Sequence, residues 1–306
     1  MCQEILTPVP DAYVQRLLRW LGDAAKPWLD TVPDRIQAAA EMWQVVPISY
    51  HDAGATSVKV LGRTSEGSQV MLKSWFDPAQ ASSEVLALRA WAGGTAVRVV
   101  AYDDGLVVAV LELIGDQPGG EEPSGNSTVR VRDGLERLHR LGRHADHSGL
   151  TTLFEHATTA LLPGLTRSLE RVDLGVLRRP VAHALEAADA LLIAPDGPTI
   201  LHGNLYRDHV LFRPNGEPCF IDPTALIGDP AYDWASWLVL YDRENGHQER
   251  LDAIFKGQRL GAGEILHWAT IIAADELAFR IETKSSGIWG AEFVLRWVAQ
   301  QFHASD

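Results

Sequence analysis

The feature that most constrains the fold is a change in apolar period along the chain, from helical spacing to short strand-like runs and back. Residues 11–23 and 33–44 carry apolar side chains at helical spacing (Val14, Leu17, Leu18, Leu21, then Ile36, Ala40, Trp43), with prolines between them. From 57 to 75 the pattern shortens to β-type runs, Val58 with Val60 and Val70 with Leu72, around a Ser65-Glu66-Gly67 turn. Residues 82–91 return to helical spacing and stop at Gly93-Gly94; runs at 97–102 and 106–113 then flank the turn sequence Asp103-Asp104-Gly105. The first third is expected to be a small α+β unit. A stretch rich in Gly, Pro, Glu and Ser at 115–127 reads as loop and places the domain boundary, giving expected domains 1–114 and 115–306. Beyond it helical spacing dominates (Val131, Leu135, Leu138; Val181, Leu185, Leu192), broken by β-like fragments at 199–201, 210–212 and 218–222.

Composition excludes several function classes. With 306 residues, 46% apolar and 22% charged, the chain can bury a large core, so disordered and disulfide-scaffold classes fall away. Forty acidic against 27 basic residues give a formal charge of −13, which repels nucleic acid and anionic membrane and favours a cationic ligand. Cys2 and Cys219 are far apart and form no C-x-x-C, so neither zinc nor a disulfide framework is indicated. The opening residues show no basic cluster followed by an apolar core, and no apolar run approaches the roughly 20 residues that cross a bilayer; a cytoplasmic monomer or homodimer is the expectation.

Chemistry concentrates in one region. Leu201-His-Gly-Asn-Leu-Tyr-Arg-Asp-His-Val210 puts polar residues on a loop between apolar fragments, Phe220-Ile-Asp222-Pro ends an apolar run with a carboxylate, and Gly228-Asp-Pro-Ala-Tyr-Asp233 follows. A carboxylate closing an apolar strand is expected only at a turn or a ligand site, and for Asp222 the ligand site is the better reading. Asp229, just ahead of Pro230, suits a local cap at a helix start. P-loop, dinucleotide-binding, H-E-x-x-H and G-x-S-x-G motifs do not occur. His139, His144 and His147 are irregularly spaced among basic neighbours and read as solvated helix-end histidines.

In order and spacing these segments resemble the aminoglycoside phosphotransferase family of kinase-like enzymes, whose loops read H-G-D-x-x-x-x-N and I-D-x followed by G-D-P-x-Y-D. The streptomycin and hydroxyurea branch is the nearest, because Glu84-Val-Leu-Ala-Leu-Arg-Ala-Trp91 and Ala96-Val-Arg-Val99 also resemble it. The resemblance implies a bilobal protein-kinase-like α+β fold, with a β-rich N-lobe preceded by helices and a mainly helical C-lobe. It further implies ATP or GTP and Mg as cofactors, and phosphoryl transfer to a hydroxyl of a small cationic antibiotic. Lys73 would be the phosphate lysine, Glu84 its ion-pair partner, and Ala53-Gly-Ala-Thr-Ser57 the phosphate-covering turn. Residues 111–113, with Glu112 and Leu113, would hold the base through backbone groups; Asp222 would hold the metal, and Asp229 and Asp233 would brace its loop. Read in isolation, Lys73 would be a solvated strand lysine and Glu84 a solvated helix glutamate.

The pattern breaks where turnover depends on it. The expected catalytic aspartate is Asn204, the expected metal asparagine is His209, and Tyr206 replaces a common histidine. An amide can accept a hydrogen bond from a substrate hydroxyl but cannot take up its proton, and imidazole is a poorer magnesium ligand than an amide oxygen. Two readings stay open: an active phosphotransferase with a rewired loop, and a catalytically impaired pseudokinase that binds nucleotide or drug. On the acceptor side, residues 222–306 hold 13 acidic and 7 basic residues. Asp233, Asp275, Glu276 and Glu282 are candidate floor residues, with Trp234, Trp237 and Trp289 as candidate walls; helix carboxylates facing solvent and tryptophans packing a core are the plainer alternative.

Overall fold

The computed structural model describes residues 7–52, 54–115, 127–171, 173, 175, 178–186, 188–191, 197–241, 246–257, 262–283 and 289–303. By its internal contacts the chain divides into two units, Met1–Glu121 with Leu211–Cys219, and Glu122–Val210 with Phe220–Asp306. The loop expected to carry the boundary lies outside the described residues for 116–126.

The first unit opens with helices α1 (Asp11–Leu21) and α2 (Lys26–Met42), followed by strands β1 (Val45–His51), β2 (Ser57–Thr64) and β3 (Gln69–Trp75), helix α3 (Pro78–Ala90), and strands β4 (Val99–Asp103) and β5 (Val108–Glu112). The five strands form one antiparallel sheet in the order β1-β2-β3-β5-β4. Alternation along the strands splits its residues between two faces. Val58, Val60, Leu72 and Val110 join Val32 and Ile36 of α2 in one apolar cluster, so the leading helices cover that face. The opposite face carries Ser57, Lys59, Met71, Lys73 and Trp75, with Lys59 and Lys73 directly paired across β2 and β3.

The strand β1 is absent from the sequence reading. Pro47 interrupts its apolar run, and the register shifts between Pro47 and Ser49; an edge strand tolerates both. Likewise α2 runs through Pro33 as one helix. The hairpin residues Leu211–Cys219 belong to the first unit, a grouping that a single linear boundary does not anticipate. Arg213 explains it: its guanidinium donates to Glu112 Oε1 at 2.5 Å and Oε2 at 3.2 Å, and to the Ala96 carbonyl at 3.4 Å.

The second unit is mainly helical: α4 (Ser127–Gly142), α5 (Leu153–His156), α6 (Leu162–Arg171), α7 (Arg178–Glu186), α8 (Ala188–Leu191), α9 (Ala231–Leu240), α10 (Gly246–Gly257), α11 (Ala262–Thr283) and α12 (Trp289–His303). A small sheet joins β6 (Thr151–Thr152), β7 (Thr199–Leu201) and β10 (Leu226–Gly228); β8 (Val210–Phe212) and β9 (Pro218–Phe220) form the hairpin. Gly142 ends α4 where a Cβ would lie 2.6 Å from Thr199 Oγ1 and 2.9 Å from the Ile200 nitrogen, so only glycine admits this approach of helix to strand. Among the described residues no helix is long and apolar enough to cross a membrane.

Helix α3 begins with a defined cap: Asp77 accepts a hydrogen bond from the Ala79 N–H at 2.9 Å, with Pro78 in the first turn. Asp77→Ala is expected to cost about 1 kcal/mol, read as a lowered urea midpoint with an unchanged slope.

Candidate active site

In the first unit the face of the sheet opposite α1 and α2 holds a charged cluster. Lys73 Nζ donates to Glu84 Oε1 at 2.6 Å and Oε2 at 2.8 Å, and the Trp75 indole N–H donates to Oε2 at 2.8 Å. Lys73 is 2% exposed and Glu84 1%, so Glu84 is not the solvated helix residue of the plainer reading. The ammonium also lies 4.7 Å from the Trp75 ring centroid, a cation–π distance. Strand alternation puts Lys73 and Trp75 on one face, and α3 delivers Glu84 from above it. Ser57 is buried at the start of β2; of the covering turn, Ala53 lies outside the described residues. The Glu112 N–H is already given to the Arg98 carbonyl at 2.9 Å. Burial pushes the Glu112 carboxyl up, but the hydrogen bonds and charge of Arg213 outweigh this and hold it below the ordinary range. Leu113 is half-buried next to it.

In the second unit a buried carboxylate organises the chemical loop. Asp233, fully shut from solvent on α9, accepts from the His202 N–H at 2.8 Å, the Gly203 N–H at 2.8 Å and His139 Nε2 at 2.9 Å. The His139 carbonyl in turn accepts from Thr199 Oγ1 at 2.7 Å. His139 is therefore a buried structural partner and not a solvated helix-end residue, because it continues the apolar stripe of α4 into the core. Asp233 and Trp234 are corrected too. Neither can floor or wall a pocket, since Asp233 is 0% and Trp234 1% exposed, and the Trp234 ring packs edge-on against His139 and Trp237. Trp237 is equally buried, and the side chain of Trp289 lies outside the described residues.

The loop is laced to the strand end that bears Asp222. His202 Nε2–H donates to the Ile221 carbonyl at 2.9 Å, which leaves Nδ1 to accept from the Asn204 N–H at 3.3 Å. The Ile221 N–H donates to the His209 carbonyl at 3.0 Å, and the Thr224 N–H to the His202 carbonyl at 2.8 Å. Between these anchors Asp222 adopts φ +54°, a left-handed conformation that a non-glycine residue holds only where its surroundings over-determine it. His209 Nδ1–H donates to the Asn204 carbonyl at 2.8 Å, directing Nε2 away from that bond. The described residues give the Asn204 side-chain amide no hydrogen-bond partner, so its position in the loop is set by backbone alone. Asp229 accepts from the Ala231 N–H at 2.8 Å at the start of α9, as a local cap.

On α11, Glu276 accepts from Tyr206 Oη at 3.2 Å and from Arg280 Nε. Burial, and then the neighbouring Glu276 and Glu282, push the Asp275 carboxyl up to about 6. Sequence reasoning missed Trp75, Lys59, Arg213 and the role of His139; Trp75 alone left a local signal, two residues from Lys73 on the same strand.

The fold is an α+β kinase-like one. One solved structure similar to this chain is a thermostable mutant of the aminoglycoside phosphotransferase APH(4)-Ia, in a ternary complex with ADP and hygromycin B (TM-score 0.61, 14% identity, covering 86% of this chain and 97% of that one). The profile of the aminoglycoside/hydroxyurea antibiotic resistance kinases matches residues 42–259, and the chain belongs to that family. It is 25% identical over 272 residues to a streptomycin 6-kinase of Streptomyces griseus, covering 85% of this chain and 86% of that protein. To a hydroxyurea phosphotransferase of Kitasatospora aureofaciens it is 28% identical over 235 residues, covering 76% and 68%.

Two outcomes test this geometry. Asp233→Ala strands three buried donors and is expected to cost roughly 3–5 kcal/mol in urea unfolding. Burial lowers the His202 pKa from 6.5 to about 4, so the unfolded chain binds the extra proton. Stability is then complete above the unfolded value and lost as pH falls through this window, by up to about 3 kcal/mol, and a His202→Gln variant should lose that slope.

Proposed function

We propose that the chain is a phosphotransferase that moves the γ-phosphoryl group of ATP or GTP to a hydroxyl of a small cationic, antibiotic-type acceptor. The observation that carries this reading is the Lys73–Glu84 pair: an ammonium desolvated on a sheet face and fixed by both oxygens of a buried carboxylate. A structural ion pair gains little from such burial, whereas phosphoryl transfer needs a fixed cation for the phosphate oxygens. In this reading Lys73 holds the α- and β-phosphates, Glu84 and Trp75 fix Lys73, Ser57 lies at the phosphate turn, and backbone groups near Glu112 and Leu113 receive the base. The bond from the γ-phosphorus to the bridging oxygen breaks, a bond to the acceptor oxygen forms, and the hydroxyl proton passes to solvent.

The donor set fits a nucleotide-borne magnesium and not an all-protein cage. Among the described residues no three His, Cys, Asp or Glu side chains gather to hold a metal ion. Magnesium is ordinarily held by one or two carboxylates together with substrate phosphates, and Asp222 supplies such a carboxylate on a fixed backbone. When bound, the ion neutralises phosphate charge. His209 Nε2 suits a softer divalent ion better. Asn204 accepts a hydrogen bond from the acceptor hydroxyl through its amide oxygen and orients it without removing the proton.

The same asparagine supports the second reading, a catalytically impaired kinase-like binder, and one experiment separates the two. Millimolar nucleotide with Mg or Mn is expected to raise the melting temperature in either case, and ADP release over an aminoglycoside panel occurs only in the first. Asn204→Asp restores a base and is expected to raise turnover by about 10²-fold or more; unchanged turnover refutes the role of this position.

Asp275 and Glu276 are the acceptor-side carboxylates of this reading, and the Tyr206 hydroxyl ties Glu276 to the loop. Asp275 is neutral below about 6 and anionic above it, so affinity for a cationic acceptor should rise with pH through that value. Asp275→Asn should flatten the profile in titration calorimetry.

A further inference from the structure

A second lysine occupies the face that carries Lys73. Lys59 on β2 is the direct cross-strand partner of Lys73 on β3, so the two side chains leave the sheet on the same side. Lys59 is 7% exposed and Lys73 2%. A strand lysine ordinarily lays its stem on apolar surface and keeps its ammonium in water, and like charges directly opposite each other destabilise a sheet. Here both lysines are withdrawn from water on one face of the sheet.

The Lys59 ammonium has a defined place. A Cβ built on Gly54 would lie 2.7 Å from Lys59 Nζ and 3.5 Å from Ser57 Oγ, so the ammonium sits directly beneath the turn at 54–57. Gly54 has φ +93°, and its carbonyl accepts from Arg16 Nε at 3.0 Å, which ties the turn to α1. A side chain at 54 would strain the backbone and displace the ammonium from this place.

Along the strands the face changes character in one direction. Met71 and Leu111, paired across β3 and β5, form its apolar end; Lys59 and Lys73 follow, and then Ser57 opposite Trp75. An apolar stretch followed by two cations is complementary to an aromatic base followed by a chain of phosphates.

We propose that Lys59 is a second phosphate-binding cation of the nucleotide site, gripping the polyphosphate from the β2 side while Lys73 grips it from β3. This rests on the phosphotransferase reading above. Lys59 would contact the phosphates and not the base, so its contribution should depend on the number of phosphates in the ligand.

The test measures dissociation constants for ATP, ADP and adenosine, with Mg, on the full chain and on Lys59→Met and Lys59→Arg. Lys59→Met is expected to weaken ATP and ADP by about 10-fold or more while adenosine stays within about 2-fold, and Lys59→Arg should keep most of the ATP affinity. Equal ATP binding by Lys59→Met, or an equal loss for adenosine, overturns the proposal. If Lys59→Met does not fold, acylation of the unmodified chain by an amine-reactive ester decides. ATP should slow modification of Lys59, read by peptide mass spectrometry, well beyond any effect of adenosine, and equal protection by the two overturns it. A wild-type chain that binds none of the three ligands refutes the phosphotransferase reading itself, and this proposal falls with it; a wild-type chain that binds ATP as well as Lys59→Met does refutes only the part given to Lys59.

Discussion

A single buried carboxylate carries the geometry of the second unit. Taking an aspartate out of water is costly unless its oxygens are met by donors, and Asp233 meets three: two consecutive backbone N–H groups of the loop and a histidine on α4. The compensation works only if α4, α9 and the end of β7 arrive together. Gly142 makes that arrival possible, because any larger residue would hold α4 away from Thr199 and Ile200. The site is therefore a product of helix packing before it is a product of its own sequence.

The first unit solves the same problem with a different geometry. Its sheet must bury one face against α1 and α2, and strand alternation then forces a second, chemically distinct face into existence. Lys73 on that face becomes affordable because α3 brings Glu84 to it, and Asp77 fixes where α3 begins. Trp75 completes the arrangement by giving its N–H to the carboxylate and its ring to the ammonium, which leaves Glu84 little freedom to turn away.

How much of this was legible follows from the distance between partners. The β2–β3 hairpin, the helix bearing Glu84 and the isolation of Asp222 at a strand end were readable because each is a local pattern. His139 and Asp233 are 94 residues apart and Arg213 and Glu112 are 101 apart, so neither pairing leaves a local trace. Trp234 illustrates the converse error: an aromatic beside an acidic residue suggests a carbohydrate or cation wall, yet both project from the most buried helix of the unit. Periodicity counts a lysine as a surface residue, so Lys59 carries no signal in the sequence, and only the strand register reveals that it faces Lys73.

The three departures from the family pattern in the loop are not equivalent in physical terms. Tyr206 and His209 are built into the fold: one gives its hydroxyl hydrogen to Glu276, and the other gives its Nδ1 hydrogen to the carbonyl of residue 204. Replacing either disturbs a partner. At 204 the main chain makes every bond that shapes the loop, while the side chain makes none with the described residues. Loop geometry is thus insulated from whether an amide or a carboxylate stands there, and proton chemistry can change at this position without a change of shape. A loop whose frame is held from Asp233 and His202 keeps residue 204 in register, whichever of the two side chains stands there.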